Sequence, residues 1–128
     1  MPITITWDER QSTNTIRYMF TGLWDWYELE DIHADVLTTV SAHNHRISLI
    51  FDLIQSIDMP VGALSALQRM FAAAPKNLGP VMVVTTDATI GFTFNMVGNF
   101  DAAIGERIHV FETLTAAHQH LGSYYASR

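Results

Sequence analysis

The chain opens on an alternation. Ile3, Ile5 and Trp7 are apolar and Thr4 and Thr6 between them are polar, the period of two that a half-buried strand requires. Residues 8–14 are polar and turn-like, after which Ile16, Tyr18 and Phe20 alternate with Arg17 and Met19 as far as Gly22. Two short strands joined by a polar turn predict an antiparallel hairpin. At Asp25 the period changes. Asp25 and Glu28 have capping-box spacing, and Leu29, Ile32, Val36 and Val40 recur at helical intervals, which predicts a helix to about Ser41. Residues 47–53 are apolar except Ser48 and Asp52, the mark of a central strand covered on both faces. A second helix is predicted after Pro60, with Leu64, Leu67 and Phe71 on one face and Pro75 as its stop. Residues 81–85 predict another buried strand, opened by Pro80 where no ladder donor is needed. Residues 89–100 predict a third helix and residues 108–111 a short strand. Thr113 then caps a last helix carrying Leu114, Ala117, Leu121 and Tyr125.

The order β-β-α-β-α-β-α-β-α predicts an α/β fold. After the hairpin its mixed sheet should be mostly parallel, with right-handed crossovers and helices covering it. No linker, repeat or low-complexity segment interrupts the pattern, so residues 1–128 are expected to form one domain. A composition of 48% hydrophobic residues supplies a core without staples.

Element order and lengths together resemble the STAS family, the sulfate-transporter and anti-sigma-factor-antagonist domains, over nearly the whole chain. The best local matches are Leu49-Ile50-Phe51-Asp52-Leu53 before the second helix and Arg107-Ile108-His109-Val110-Phe111-Glu112-Thr113-Leu114 leading into the last. In that family the second segment forms the last strand and the start of the last helix. Regulatory members carry an Asp-Ser-Ser/Thr-Gly type motif between the third strand and the second helix, whose serine or threonine a partner kinase phosphorylates. The corresponding stretch here is Asp58-Met59-Pro60-Val61-Gly62. Asp58 and Gly62 match the flanks, but Met59 and Pro60 hold the acceptor positions and neither takes a phosphate. The resemblance therefore implies a non-enzymatic binding module without the phosphorylation switch, and marks these five residues as a candidate partner-binding surface. Within it, Asp58 is expected to cap the second helix, Pro60 to sit in its first turn, and Met59 and Val61 to present apolar contact area.

Charge narrows the partners. Seven Lys+Arg against thirteen Asp+Glu give a formal net charge of −6, with Lys76 the only lysine and the arginines scattered. No basic patch is available for phosphates, so neither nucleic acid nor an anionic membrane surface is expected to bind. No run of about 18 apolar residues provides a membrane span. The absence of cysteine excludes a disulfide framework, a thiolate nucleophile and a Cys-ligated metal. The N-terminal residues read directly into a strand pattern, with no basic region followed by an apolar stretch. No secretory signal is therefore expected, and the cytoplasm is the default.

Candidate chemistry is sparse. His43 and His45 share a loop, whereas His118 and His120 lie about 200° apart around a helix and cannot share an ion. A structural zinc site needs four ligands in a defined shell, so no metal or other cofactor is expected. Asp52 closes a buried strand, where open α/β sheets place active groups. The acidic pair and lysine of a phospho-receiver are missing around it, and it is expected to accept hydrogen bonds from the turn behind it. Ser56 and Ser65 lack a G-x-S-x-G elbow and no G-x-x-x-x-G-K run occurs, so no catalytic residue is expected.

The predicted third helix departs from the ordinary pattern. No charge stands between Asp87 and Asp101, and Ile90, Phe92, Phe94, Met96, Val97 and Phe100 spread over an arc of about 200°, twice what a one-sided helix needs. Either the helix is half sunk in the core, with Gly91 and Gly98 permitting close approach, or Phe92, Met96 and Phe100 face a partner, a twin subunit or a lipid-like ligand. Trp24 is expected to cover the sheet edge, with Trp26 partly exposed. The leading expectation is a protein–protein interaction module, with a homodimer among the expected partnerships. The alternative is a carrier or sensor of a small apolar ligand beside this helix.

Overall fold

The structure is a computed structural model that describes residues 2–10 and 14–127. Ten elements follow one another: β1 (Ile3–Trp7), β2 (Thr15–Gly22), α1 (Trp26–Ser41), β3 (Ile47–Ser56), α2 (Ala63–Ala72), β4 (Leu78–Val84), α3 (Ala88–Phe100), α4 (Ala102–Arg107), β5 (Ile108–Phe111) and α5 (Leu114–Ala126). The strands form a single mixed sheet in the order β1-β2-β3-β4-β5. β1 runs antiparallel to β2 as the hairpin pattern predicts, while β2, β3, β4 and β5 are mutually parallel. The hairpin's turn at residues 11–13 lies outside the described residues.

Strand order dictates where the helices go. Each parallel step advances in the same direction, and a right-handed crossover then places every connecting helix on the same face. α1 through α4 accordingly share one face and bury Tyr18, Phe20, Leu49, Phe51, Val81 and Val83 beneath them. α5 leads to no further strand and takes the opposite face, where Ala117 and Leu121 pack on Ile50, Met82 and Val84. β4 is buried along its whole length, consistent with its unbroken apolar run.

Both central strands are longer than the pattern suggests. β3 continues past Leu53 to Ser56, and β4 begins at Leu78, before Pro80. The register passes from Ile47↔Leu78 to Leu49↔Val81, so β4 carries one extra residue there. The proline's missing N–H thus falls in a bulge, where the ladder does not need it.

The start of α2 also differs from expectation. The helix begins after Gly62, which takes the left-handed conformation at φ 94°, and it has no side-chain cap. Asp58 is too far ahead of Ala63 to reach the first turn, and its carboxylate instead accepts from the Met59 N–H at 2.7 Å. The cause lies in α1 and the segment leading into it. Trp26 Nε1 donates to the Pro60 carbonyl at 3.0 Å and Trp24 Nε1 to Ser56 Oγ at 2.9 Å, which ties the segment down before it can turn into a helix. Both tryptophans are buried, so Trp26 is not the half-exposed side chain its position suggests.

α4 is an element the sequence pattern does not announce. Asp101 caps it by accepting from the Ala103 and Ile104 N–H groups, and α3 and α4 cross at Gly98 and Gly105. A Cβ on Gly105 would stand 2.4 Å from the Gly98 carbonyl oxygen, so this crossing requires glycine.

Candidate functional site

The uncharged α3 resolves into two faces. Ile90, Phe94 and Val97 are buried against the sheet, while Phe92, Met96 and Phe100 are 63%, 44% and 77% exposed. The 200° arc is therefore neither wholly core nor wholly surface; its inner third packs and its outer third meets solvent. α3 starts with a side-chain cap, Asp87 accepting from the Thr89 and Ile90 N–H groups at 2.8 and 3.1 Å, which fixes where the helix begins.

The outward side chains line a trough between α2 and α3. Its volume is about 280 Å³, and Ala63, Leu64, Phe92, Met96, Val97 and Phe100 form its apolar wall, with Thr93 the polar exception. Ala63 and Leu64 belong to the first turn of α2, directly after the 58–62 segment. The structure thus joins the two surfaces that the sequence singled out separately. Val61, two residues before Ala63, is 95% exposed. Met59 does not contribute to the trough: the side chain packs against the core. Asp58 and Gly62 are exposed, and Pro60 is half-buried.

Further apolar side chains are exposed in the segments that leave β2 and β3. Ile57 N–H donates to the Gly22 carbonyl at 3.0 Å, holding the ends of β2 and β3 side by side. Leu23, Tyr27 and Ile57 are all exposed in the segments that leave these two strands. A second trough, of about 390 Å³ and mixed character, runs between β1 and α1, where Ile5, Trp7, Ile16, Ile32 and Val36 alternate with Thr6, Asp35 and Thr39. The antiparallel hairpin forms as expected, but the alternation in β1 does not translate into burial: Ile3 is buried, while Ile5 and Trp7 each remain 37% exposed.

Asp52 and His118 are engaged in structural contacts. Asp52 does not close its strand, since β3 runs four residues further. Its carboxylate forms an ion pair with Arg17 of β2 and accepts from the Ile54 N–H at 3.2 Å. β3 carries an extra residue between Met19↔Asp52 and Thr21↔Gln55, so that N–H is released by a bulge rather than by a turn. His118 and Asp8 form a buried pair, with Nε2 3.0 and 2.9 Å from the two carboxylate oxygens. His43 and His45 lie edge to face in their loop, and no cluster of three metal-ligating side chains occurs among the described residues.

His33 is the residue that the sequence reading passes over. It is buried in α1; Tyr18 donates to Nδ1 at 2.6 Å, and Nε2 donates to the Met70 carbonyl at 3.2 Å. Burial pushes its pKa down to about 4 and raises that of Tyr18. The signal was present: position 33 lies four residues after Leu29 and three before Val36, within the core stripe of α1.

No family model matches the chain, and no curated protein matches it. No helix among the described residues is long and apolar enough to cross a membrane.

Proposed function

We propose that this chain is a non-enzymatic, cytoplasmic protein-binding module of the STAS type without a phosphorylation switch, and that it engages its partner through the α2–α3 trough and the adjoining 58–62 segment. The observation that carries this reading is the outward row Phe92, Met96 and Phe100 on a helix with no charge, together with Leu64 of the same trough and the exposed Val61. Soluble domains seldom leave contiguous apolar surface uncovered unless something docks there. Met59 and Pro60 occupy the acceptor positions of the resembled family. The nearest hydroxyl, Ser56, already accepts from Trp24 and donates to the Asp58 carbonyl at 2.9 Å. Binding is accordingly constitutive in this reading, and the simplest occupant is a second copy of the chain.

The test is Phe92→Glu. A charge left unpaired in a desolvated interface costs several kcal/mol but little on a wet surface. Sedimentation velocity should show a wild-type dimer weakened at least tenfold by the substitution, with an unchanged circular dichroism spectrum. A wild type that remains monomeric at high concentration removes the homodimer, and a folded variant that associates as wild type removes the trough as the interface.

One observation favours a second reading. The trough is lined almost wholly by carbon and its volume approaches the lower bound of ligand pockets, about 300 Å³. A carrier of a small apolar ligand would retain that molecule through native mass spectrometry, whereas a protein-docking trough, open along its length, would arrive empty.

A further inference from the structure

A different kind of cleft lies at the other end of the sheet, at the amino ends of β4 and β5 between α4 and α5. It measures about 360 Å³, within the range of small-molecule sites, and converges on Arg46, Arg107, His109, His120, Tyr124 and Glu106. Two of the chain's six arginines meet here in a protein of net charge −6. That is unusual beside the other paired arginines, since Arg17 has Asp52 and Arg69 has Glu30. Among the described residues neither Arg46 nor Arg107 is in an ion pair; Glu106, the one carboxylate on the cleft wall, is exposed and bridges to neither.

Arg107 is held in place without being neutralised. Its Nη1 donates to the Leu78 and Gly79 carbonyls at 2.9 and 3.2 Å, an anchor that leaves Nε and Nη2 with donors to spare. Burial, and then the Arg46 charge, weaken its hold on its proton. The imidazoles of His109 and His120 lie 4.8 Å apart, and burial followed by His120 lowers the His109 pKa. Four cationic or potentially cationic groups thus face one another across a half-buried cleft. Such an arrangement is electrostatically unfavourable when empty and favourable around an anion, because guanidinium groups bind tetrahedral and planar oxyanions through paired, charge-assisted hydrogen bonds.

We infer that this cleft is a binding site for a phosphoryl oxyanion, free or carried on a small organic molecule, with Arg46 and Arg107 as the fixed cations and the His109 and His120 imidazoles as further donors. The site is independent of the α2–α3 trough, and its fate does not depend on the protein-docking reading. Inorganic phosphate is the direct probe, followed through the ring C–H signals of the histidines by NMR at constant ionic strength with chloride as the control. The His109 and His120 signals should move saturably while those of His43 and His45 stay fixed, and His109 should titrate at higher pH in saturating phosphate than in chloride, since an anion that favours imidazolium must raise its pKa. Arg46→Gln, whose parent guanidinium makes no hydrogen bond to a described residue, should keep the fold and weaken phosphate at least tenfold. A parallel titration with glycerol phosphate distinguishes the sources: tighter binding than phosphate identifies a phosphorylated small molecule, equal binding the free ion. Non-saturating shifts, uniform shifts of all histidines, or an affinity unaffected by Arg46→Gln would each overturn the site.

Discussion

A histidine enclosed by carbon and carbonyl groups has to remain neutral, because a buried cation without a counter-charge costs more than its pKa can support. His33 is in that position, with the Tyr18 hydroxyl on one nitrogen and the Met70 carbonyl on the other. Its folded pKa of about 4 lies below the unfolded value of about 6.5. Between those limits the unfolded chain takes up a proton that the folded one refuses. The contribution is therefore complete above pH 6.5 and declines as pH falls toward 4, by about 3 kcal/mol at most. Urea unfolding of wild type and His33→Gln from pH 7.5 to 4 checks this. The wild type should be more stable at pH 7.5, and the gap should close as pH falls. A gap that stays constant would mean that His33 keeps its ordinary affinity for protons. The residues that escape sequence reading share this character. His33 and Trp26 are polar-tipped side chains whose burial depends on one partner far away in the chain, Met70 or Pro60, and no local pattern records that partner.

At the scale of elements, two glycines make opposite predictions. Gly105 is pressed against the Gly98 backbone, so Gly105→Ala must displace α4 from α3 and should cost about 1–3 kcal/mol. Gly122 sits inside α5 with open space around a would-be Cβ, and Gly122→Ala should stabilise by up to about 1 kcal/mol through helix propensity. Thermal melts of the two variants should move in opposite directions; a neutral Gly105→Ala would show that the α3–α4 crossing is not close. The same crossing explains what the sequence left unread. Strands and long helices declare themselves through period, and nine of the ten elements were legible that way. α4 has six residues, fewer than two turns, and only the cap at Asp101 marks it. The start of α2 departs from its local pattern because Pro60 suits a first helical turn, while the Trp26–Pro60 hydrogen bond ties that carbonyl down from outside. The outward row on α3 was legible as an excess of apolar positions. Its division between Phe94 and Phe92 depended on the helix rotation, which tertiary packing sets.

At the scale of the molecule, the sheet has unequal cover: four helices on one face and α5 alone on the other. That helix reaches across the sheet. His118 meets Asp8 just beyond β1, Tyr125 meets Ser48 at the start of β3 at 2.7 Å, and Leu121 is fully buried over β3 and β4. A helix attached only at its root would peel away first, exposing Ile50, Met82 and Val84 while the rest of the core survived. The two hydrogen-bonded ties, 110 and 77 residues apart in sequence, together with the buried Leu121, argue instead that α5 unfolds with the whole. Leu121→Ala should then lower stability by about 2–5 kcal/mol, the range for a leucine cavity, and should do so without changing the slope against denaturant. Trp24 and Trp26 lie in the core on the α1 side, so their fluorescence reports the opposite face, while far-ultraviolet circular dichroism includes α5 itself. The two signals should lose structure at one denaturant concentration, in the variant as in wild type. If circular dichroism falls before tryptophan fluorescence, α5 is a detachable flap, and the small core beneath it contributes little to holding the sheet together.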